Sequence, residues 1–104
     1  MADRLETASV KLVTTIAPIT LADTLASELR EIGVTGYTTA KVSGWGQHGT
    51  RRFGLSDEPN IRIETLASAE LARAILSSVD ARSAEHGLVA FVWDVQAVPR
   101  RHFP

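Results

Sequence analysis

The 104-residue chain contains no cysteine, which excludes disulfides, thiolate metal sites and thiol catalysis. No apolar run approaches the roughly 20 residues that a membrane-spanning helix needs, and the first residues lack the basic and apolar segments of a secretory signal. We therefore expect a cytoplasmic protein with no membrane insertion. The three histidines, His48, His86 and His102, are far apart and show no metal-binding spacing, so no metal site is expected.

The chain also lacks an excess of either charge, with 11 basic and 12 acidic residues and a formal net charge of -1. This balance argues against a nucleic-acid binder, whose binding face is basic. No Ser/His/Asp set and no pair of carboxylates at a catalytic spacing is present, so we do not expect an enzyme. Arginines do occur in two adjacent pairs, Arg51-Arg52 and Arg100-Arg101. Their fork-shaped donors suit phosphate or carboxylate recognition, and solvated surface charge is the equally weighted alternative.

Hydrophobic periodicity predicts four strands and two helices. Runs rich in β-branched residues predict strands at residues 9–17, 37–43, 60–66 and 89–98. The last strand is the most apolar, so we expect it at the centre of the sheet with Trp93 in the core. Apolar residues at helical spacing predict one helix capped by Thr20 and another capped by Ser68. The order βαββαβ is typical of the ferredoxin-like α+β fold, a four-stranded antiparallel sheet with two helices on one face.

Residues 44–59 form a long glycine-punctuated segment between the second and third strands. Its first glycines match the G-x-G-x-x-G dinucleotide fingerprint, but that motif requires a helix directly after it, and here a turn cluster and a strand follow. Loops of this length in compact domains are usually functional or disordered. We interpret the segment as a ligand- or partner-binding loop, with a disordered connection as the alternative.

Several short strings follow one another in a fixed order along the chain. They are Gly33-Val34-Thr35-Gly36-Tyr37-Thr38, then Gly44-Trp45-Gly46, then Ile61-Arg62-Ile63-Glu64, and then Gly87 followed by Phe91-Val92-Trp93-Asp94-Val95. In this order and spacing they resemble the PII signalling family. The tail Gln96-Ala97-Val98-Pro99-Arg100-Arg101-His102-Phe103 and the short arginine-bearing loop are most similar to the PII-like branch associated with inorganic-carbon uptake and carboxysomes.

The resemblance implies a single PII-like domain at residues 9–104 after a flexible N-terminus at residues 1–8, with the family's T-loop at about residues 44–59. It also implies a homotrimer that binds adenine nucleotides in its intersubunit clefts and signals through the T-loop. By position, the base and ribose would be lined by Gly36, Tyr37, Thr38 and Thr39, and Glu64 would lie near the adenine amino edge. The backbone of Gly87 and Leu88 would approach the phosphates. Arg100 and Arg101 would reach the site from the neighbouring subunit.

Two departures from the family pattern refine this expectation. Leu88 stands where classical PII proteins have a lysine just after the glycine. Without this phosphate-binding cation, AMP, ADP or a cyclic nucleotide is favoured over ATP with magnesium. The loop also lacks the tyrosine that nitrogen-sensing members uridylylate. The T-loop residues expected to contact an anion such as bicarbonate, or a partner, are Gly46, Gln47, His48, Arg51 and Arg52.

The function that the resemblance implies is regulation of inorganic carbon uptake or fixation, through a bicarbonate transporter or a carboxysome-related protein. A small ferredoxin-like enzyme, such as a cofactorless monooxygenase, is the alternative, because the apolar pockets of such enzymes carry no short motif. A metal-tolerance trimer of the CutA type is disfavoured by the absent cysteines and scattered histidines.

Overall fold

The computed structural model describes residues 4–43, 45–46, 49–50 and 59–103, with only the backbone described at 45–46, 49–50 and 85–86. The strands and helices, in chain order, are β1 (Ala8–Pro18), α1 (Ala22–Ile32), β2 (Thr38–Val42), β3 (Trp45–Gly46), β4 (Gly49–Thr50), β5 (Asn60–Ala67), α2 (Ala69–His86) and β6 (Val89–Ala97). Two short 3₁₀ helices, Ile19–Leu21 and Arg100–His102, precede α1 and follow β6.

Four of these strands form one antiparallel sheet in the order β2-β5-β1-β6. Both helices contribute to the single core cluster on one side of it. The structure therefore confirms the predicted ferredoxin-like βαββαβ fold. Within the predicted loop, β3 and β4 pair separately, Trp45 with Thr50 and Gly46 with Gly49.

The core lies between the helices and one face of the sheet. Side chains alternate between the two faces of a strand, so Val13 on β1 and Ile63 on β5 point toward the helices. Ile75 of α2 and Leu29 of α1 pack against them, and all four are buried. Neither α1 nor α2 covers the opposite face of the sheet, which we call the open face, because both helices pack on the core side.

Two helix ends carry the signals that the sequence predicts. Ser68 caps α2, since its Oγ accepts a 3.1 Å hydrogen bond from the Leu71 N–H. Gly33 follows α1 in the left-handed conformation at φ 114°, which side chains disfavour. The prediction of Thr20 as the first cap is wrong. Thr20 lies inside the 3₁₀ turn, and α1 begins after Leu21 without a side-chain cap.

The predicted position of the last strand is also wrong. β6 lies at the edge of the sheet, paired only with β1 among the described strands. Ala90 and Val92 pack against the core, but Trp93 is on the other side of the strand and is 63% exposed. The sequence of β6 is apolar on both faces, and the described residues cover only one of them. Apolar content alone therefore misplaced the strand.

Candidate functional site

Three rows of side chains on the open face cross β5, β1 and β6, because residues paired directly across antiparallel strands point to the same side. Across β5, β1 and β6 the rows are Leu66–Leu12–Trp93, then Glu64–Thr14–Phe91, then Arg62–Ile16–Val89. The half of this face formed by β6 is apolar and exposed. The half formed by β5 and β2 carries polar groups, so the two halves offer different chemistry.

A cleft of about 530 Å³ lies where the open face meets the segment that leads into β2. It is lined by Leu12, Thr35, Gly36, Tyr37, Thr38, Glu64, Thr65, Leu66, His102 and Phe103. The cleft thus brings together four of the residues that the sequence singled out, Gly36, Tyr37, Thr38 and Glu64. Leucines from β1 and β5 give it an apolar side, and hydroxyl and carboxylate groups lie beside them.

The Glu64 carboxylate is held by a neighbouring strand. Thr14, which is buried at 2% exposure, donates a 2.9 Å hydrogen bond from Oγ1 to Glu64 Oε2. The other oxygen, Oε1, lies 3.8 Å from Arg62 Nε, a distance too long for a hydrogen bond but within an ion pair. Thr38 is the register partner of Glu64 on β2. One carboxylate oxygen therefore has a fixed donor, and the other keeps capacity to accept from a ligand.

The wall of the cleft at residues 34–37 has no regular secondary structure and is tied down by side chains. The buried Thr65 donates from Oγ1 to the Gly36 carbonyl oxygen. On the outer side, Arg30 of α1 donates a 3.1 Å hydrogen bond to the Tyr37 hydroxyl. The two bonds fix the backbone and the ring that face the cleft.

Gly36 is a glycine that this chain's own packing does not require. Its φ is not in the left-handed region, and a Cβ built at this position meets no protein atom within 4 Å. A group from outside the chain could therefore approach the backbone here closely, which is a common use of glycine at binding sites.

The other predicted nucleotide contacts lie outside this cleft. Thr39 pairs with the core residue Ile63 and so faces the helix side of the sheet. Gly87 is the left-handed C-cap of α2 at φ 64°, and the buried Leu88 lines a separate cavity of about 520 Å³ between α2 and β6. Arg100 and Arg101 are exposed in the last 3₁₀ helix. Their contact with nucleotide across subunits stays a prediction.

Of the predicted T-loop contacts, Gln47, His48, Arg51 and Arg52 lie outside the described residues, and Gly46 is described by its backbone alone. Sequence reasoning had missed several residues that line the cleft, namely Leu12, Thr35, Thr65, Leu66, His102 and Phe103. A signal existed for Leu66, because strand alternation puts it on the same face as Glu64. The tail residues gave no such signal.

Across the part of the chain that the structure describes, no group of three or more His, Asp or Glu residues could hold a metal ion. In the same residues, no helix has the length and apolar character to cross a membrane.

The chain matches a family model described as nitrogen regulatory protein P-II over residues 10–102. A PII-like signalling protein from Thermus thermophilus is 28% identical with a TM-score of 0.80, and the match covers 96% of this chain and 100% of that one. CPII from Thiomonas intermedia, in a structure bound to ADP and bicarbonate, is 28% identical with a TM-score of 0.78 and coverages of 88% and 91%.

A second CPII structure, bound to ADP, AMP and bicarbonate, matches at 26% identity and a TM-score of 0.76, covering 88% of this chain and 96% of that one. No curated protein gives a significant match. Because the family model spans most of the sequence and the fold agrees with solved PII-like structures, the chain belongs to the P-II family.

Proposed function

We propose that this protein is a PII-like regulatory protein that binds adenine nucleotides, ADP or AMP in preference to ATP, and signals their presence through its T-loop. The observation that carries the proposal is the cleft that gathers Gly36, Tyr37 and Thr38 beside Glu64. It supplies what an adenine nucleotide needs, an apolar slot for the ring and polar groups at its edge. The CPII structures bound to ADP support the same ligand class.

In this proposal each side of the cleft contacts a different part of the nucleotide. Leu12 and Leu66 contact the adenine ring, Glu64 accepts from its 6-amino group, and Thr38 hydrogen-bonds the ribose. The bare backbone at Gly36 permits close approach of the nucleotide. When subunits meet, Thr39 completes the lining of the base and ribose. Gly87 and Leu88 then approach the phosphates, and Arg100 and Arg101 come from the neighbouring subunit.

The assembly that we propose is a homotrimer with nucleotides in its intersubunit clefts. The exposed apolar side chains of β6 support it, since Trp93, Phe91 and Val89 are 63%, 42% and 40% exposed within one chain. A contiguous apolar patch of this kind on a soluble domain usually marks a protein–protein contact. The patch is continuous with the cleft through Leu12, so one assembly would cover both.

The physiological role that we propose is control of inorganic carbon uptake or fixation in the cytoplasm, by contact of the T-loop with a bicarbonate transporter or a carboxysome-related protein. In this role Arg51 and Arg52, with Gly46, Gln47 and His48, contact bicarbonate or the partner. The bicarbonate bound in the CPII structures supports an anion of this class. The protein acts as a regulator and not as an enzyme, in keeping with its family.

The test is calorimetric titration of the purified protein with AMP, ADP, ATP and cyclic AMP, with native mass spectrometry to count subunits and bound nucleotides. We expect a trimer with three nucleotides, and tighter binding of ADP or AMP than of ATP. Glu64→Gln should weaken ADP binding, while Glu70→Gln, an exposed site on α2 outside the cleft, should not. Flat traces for all four nucleotides would reject the proposal and favour an interaction module that binds no nucleotide.

A further inference from the structure

Thr14 and Glu64 stand opposite each other on neighbouring strands, in the middle row of the open face. The Thr14 hydroxyl donates to Glu64 Oε2 at 2.9 Å, within the normal range for this bond. Because Thr14 is 2% exposed, its own side chain is held in place by the packing around it. The hydrogen bond therefore restrains a carboxylate that otherwise has three rotatable bonds and several rotamers.

Packing alone does not call for a hydroxyl at this position. Valine has nearly the same shape as threonine and is also favoured in strands, and it would bury no polar atom. The Thr14 hydroxyl is satisfied by Glu64, which itself lines the cleft. A threonine here thus has a consequence at the cleft that a valine would not have.

The restraint also decides which carboxylate oxygen is available to a ligand. Oε2 receives the Thr14 hydroxyl, whereas Oε1 lies 3.8 Å from Arg62 Nε and keeps its capacity to accept a hydrogen bond. A carboxylate can only accept, so it attracts a purine that presents an amino group. It repels one that presents a carbonyl oxygen at the same position.

From this geometry we infer that Thr14 is a positioning residue, which holds Glu64 in the one orientation that distinguishes a 6-amino purine from a 6-oxo purine. The inference rests on the proposed nucleotide site and extends it from nucleotide binding to base selectivity. Thr14 does not touch the base in this scheme; it acts through Glu64 alone.

The experiment compares ADP with inosine diphosphate, which differs from ADP by carrying an oxygen in place of the 6-amino group. Thr14→Val removes the hydroxyl and keeps the volume, and Thr14→Ser keeps the hydroxyl. We expect T14V to bind ADP about tenfold more weakly, which corresponds to about 1.4 kcal/mol, with inosine diphosphate changed much less. The preference for ADP over inosine diphosphate should therefore fall in T14V and persist in T14S. The thermal unfolding temperature of both variants should be close to that of wild type.

A double-mutant cycle adds a readout that a purely structural role would not move. If Thr14 acts through Glu64, T14V in an E64Q background should cost much less ADP affinity than T14V alone. Thr14→Ala removes the same hydroxyl with less bulk and serves the comparison if T14V does not fold.

The possible outcomes distinguish failure of the Thr14 inference from failure of the proposed nucleotide site. If wild type prefers ADP over inosine diphosphate and T14V (or T14A in its place) keeps the full preference, the proposed role of Thr14 is overturned. The proposed nucleotide site is then unaffected. Additive losses in the double-mutant cycle overturn the role of Thr14 as well. A wild-type protein that binds neither ADP nor AMP rejects the proposed function itself.

Discussion

Leu12 on β1 and Trp93 on β6 are paired across the open face of the sheet, Leu12 half-buried beside the cleft and Trp93 63% exposed. This pair joins the exposed apolar patch of β6 to the proposed binding cleft. A subunit that covers Trp93 would therefore also approach the cleft. Assembly and nucleotide binding should then depend on the same surface.

Replacing Trp93 with glutamate should convert the proposed trimer to monomers. The indole contributes little to the fold of one chain because most of it is exposed, whereas a charge buried between subunits has a large desolvation cost. Size-exclusion chromatography with light scattering measures the change in mass. Asp94→Asn, at the next position on the opposite face of β6, is the matched control and should remain trimeric. A trimeric W93E protein would show that this patch is not the interface.

Replacing Gly36 with alanine should weaken ADP binding by about tenfold while leaving the fold intact. An added Cβ meets no protein atom within 4 Å, and the backbone there is not left-handed, so the chain accommodates a methyl group. Gly→Ala changes at compatible positions raise the free energy of unfolding by about 0.4–1 kcal/mol. Calorimetry for ADP affinity and urea unfolding for stability measure the two effects separately.

Gly33→Ala is the matched control for the Gly36 variant, because its effects should be reversed. Gly33 has φ 114°, a conformation that is strained for any side chain. We expect G33A to lower the free energy of unfolding by about 1 kcal/mol or more, with ADP affinity retained in the folded fraction. A G36A protein that binds ADP as well as wild type would contradict the close approach of nucleotide at this position.

The fold was predictable because local signals in this chain agree with each other. Ile61, Ile63 and Thr65 alternate with Arg62 and Glu64, and the structure buries the first set and leaves the second exposed or half-buried. The Ser68 cap is likewise a local signal, since it depends on a side chain and a backbone amide three residues apart. Order and period together were enough for the βαββαβ topology.

Whether an apolar face is covered is not a local property, and this explains the misplaced β6. Apolar content predicted burial of Trp93, but burial depends on which strands and which subunits lie beside it. The cleft was predictable only in part for a similar reason. Gly36, Tyr37, Thr38 and Glu64 came from family resemblance, whereas His102 and Phe103 reach the cleft through the path of the tail, which no periodicity encodes.

Removing the Glu28 carboxylate should destabilise the packing of the two helices. Glu28 of α1 accepts a 3.1 Å hydrogen bond from Ser78 Oγ and forms an ion pair with Arg82, both on α2. Hydrogen bonds to charged groups contribute roughly 1.5–3 kcal/mol when protected from water, and this partly exposed set should give less. We expect Glu28→Ala to lower the free energy of unfolding by about 1–2 kcal/mol in urea titrations, with ADP affinity unchanged.

The ion pair of Lys11 with Asp94 provides the comparison, because the Asp94 side chain is 83% exposed. Exposed pairs contribute about 0–1 kcal/mol, so Asp94→Ala should have a smaller effect on the free energy of unfolding than Glu28→Ala. Equal effects of the two substitutions would show that the Glu28 cluster does not stabilise the helix packing.

Replacing both Arg51 and Arg52 with alanine should abolish any effect of bicarbonate on nucleotide binding. If bicarbonate bridges the nucleotide and the T-loop arginines, it adds charge-assisted hydrogen bonds that oppose the entropic cost of ordering the loop. ADP should then bind wild type several-fold more tightly in bicarbonate than in chloride of the same ionic strength and pH. In the double variant the two titrations should coincide. Arg4→Ala, an exposed arginine before β1, is the charge control and should retain the bicarbonate effect. A bicarbonate effect that survives loss of both T-loop arginines would place the anion elsewhere.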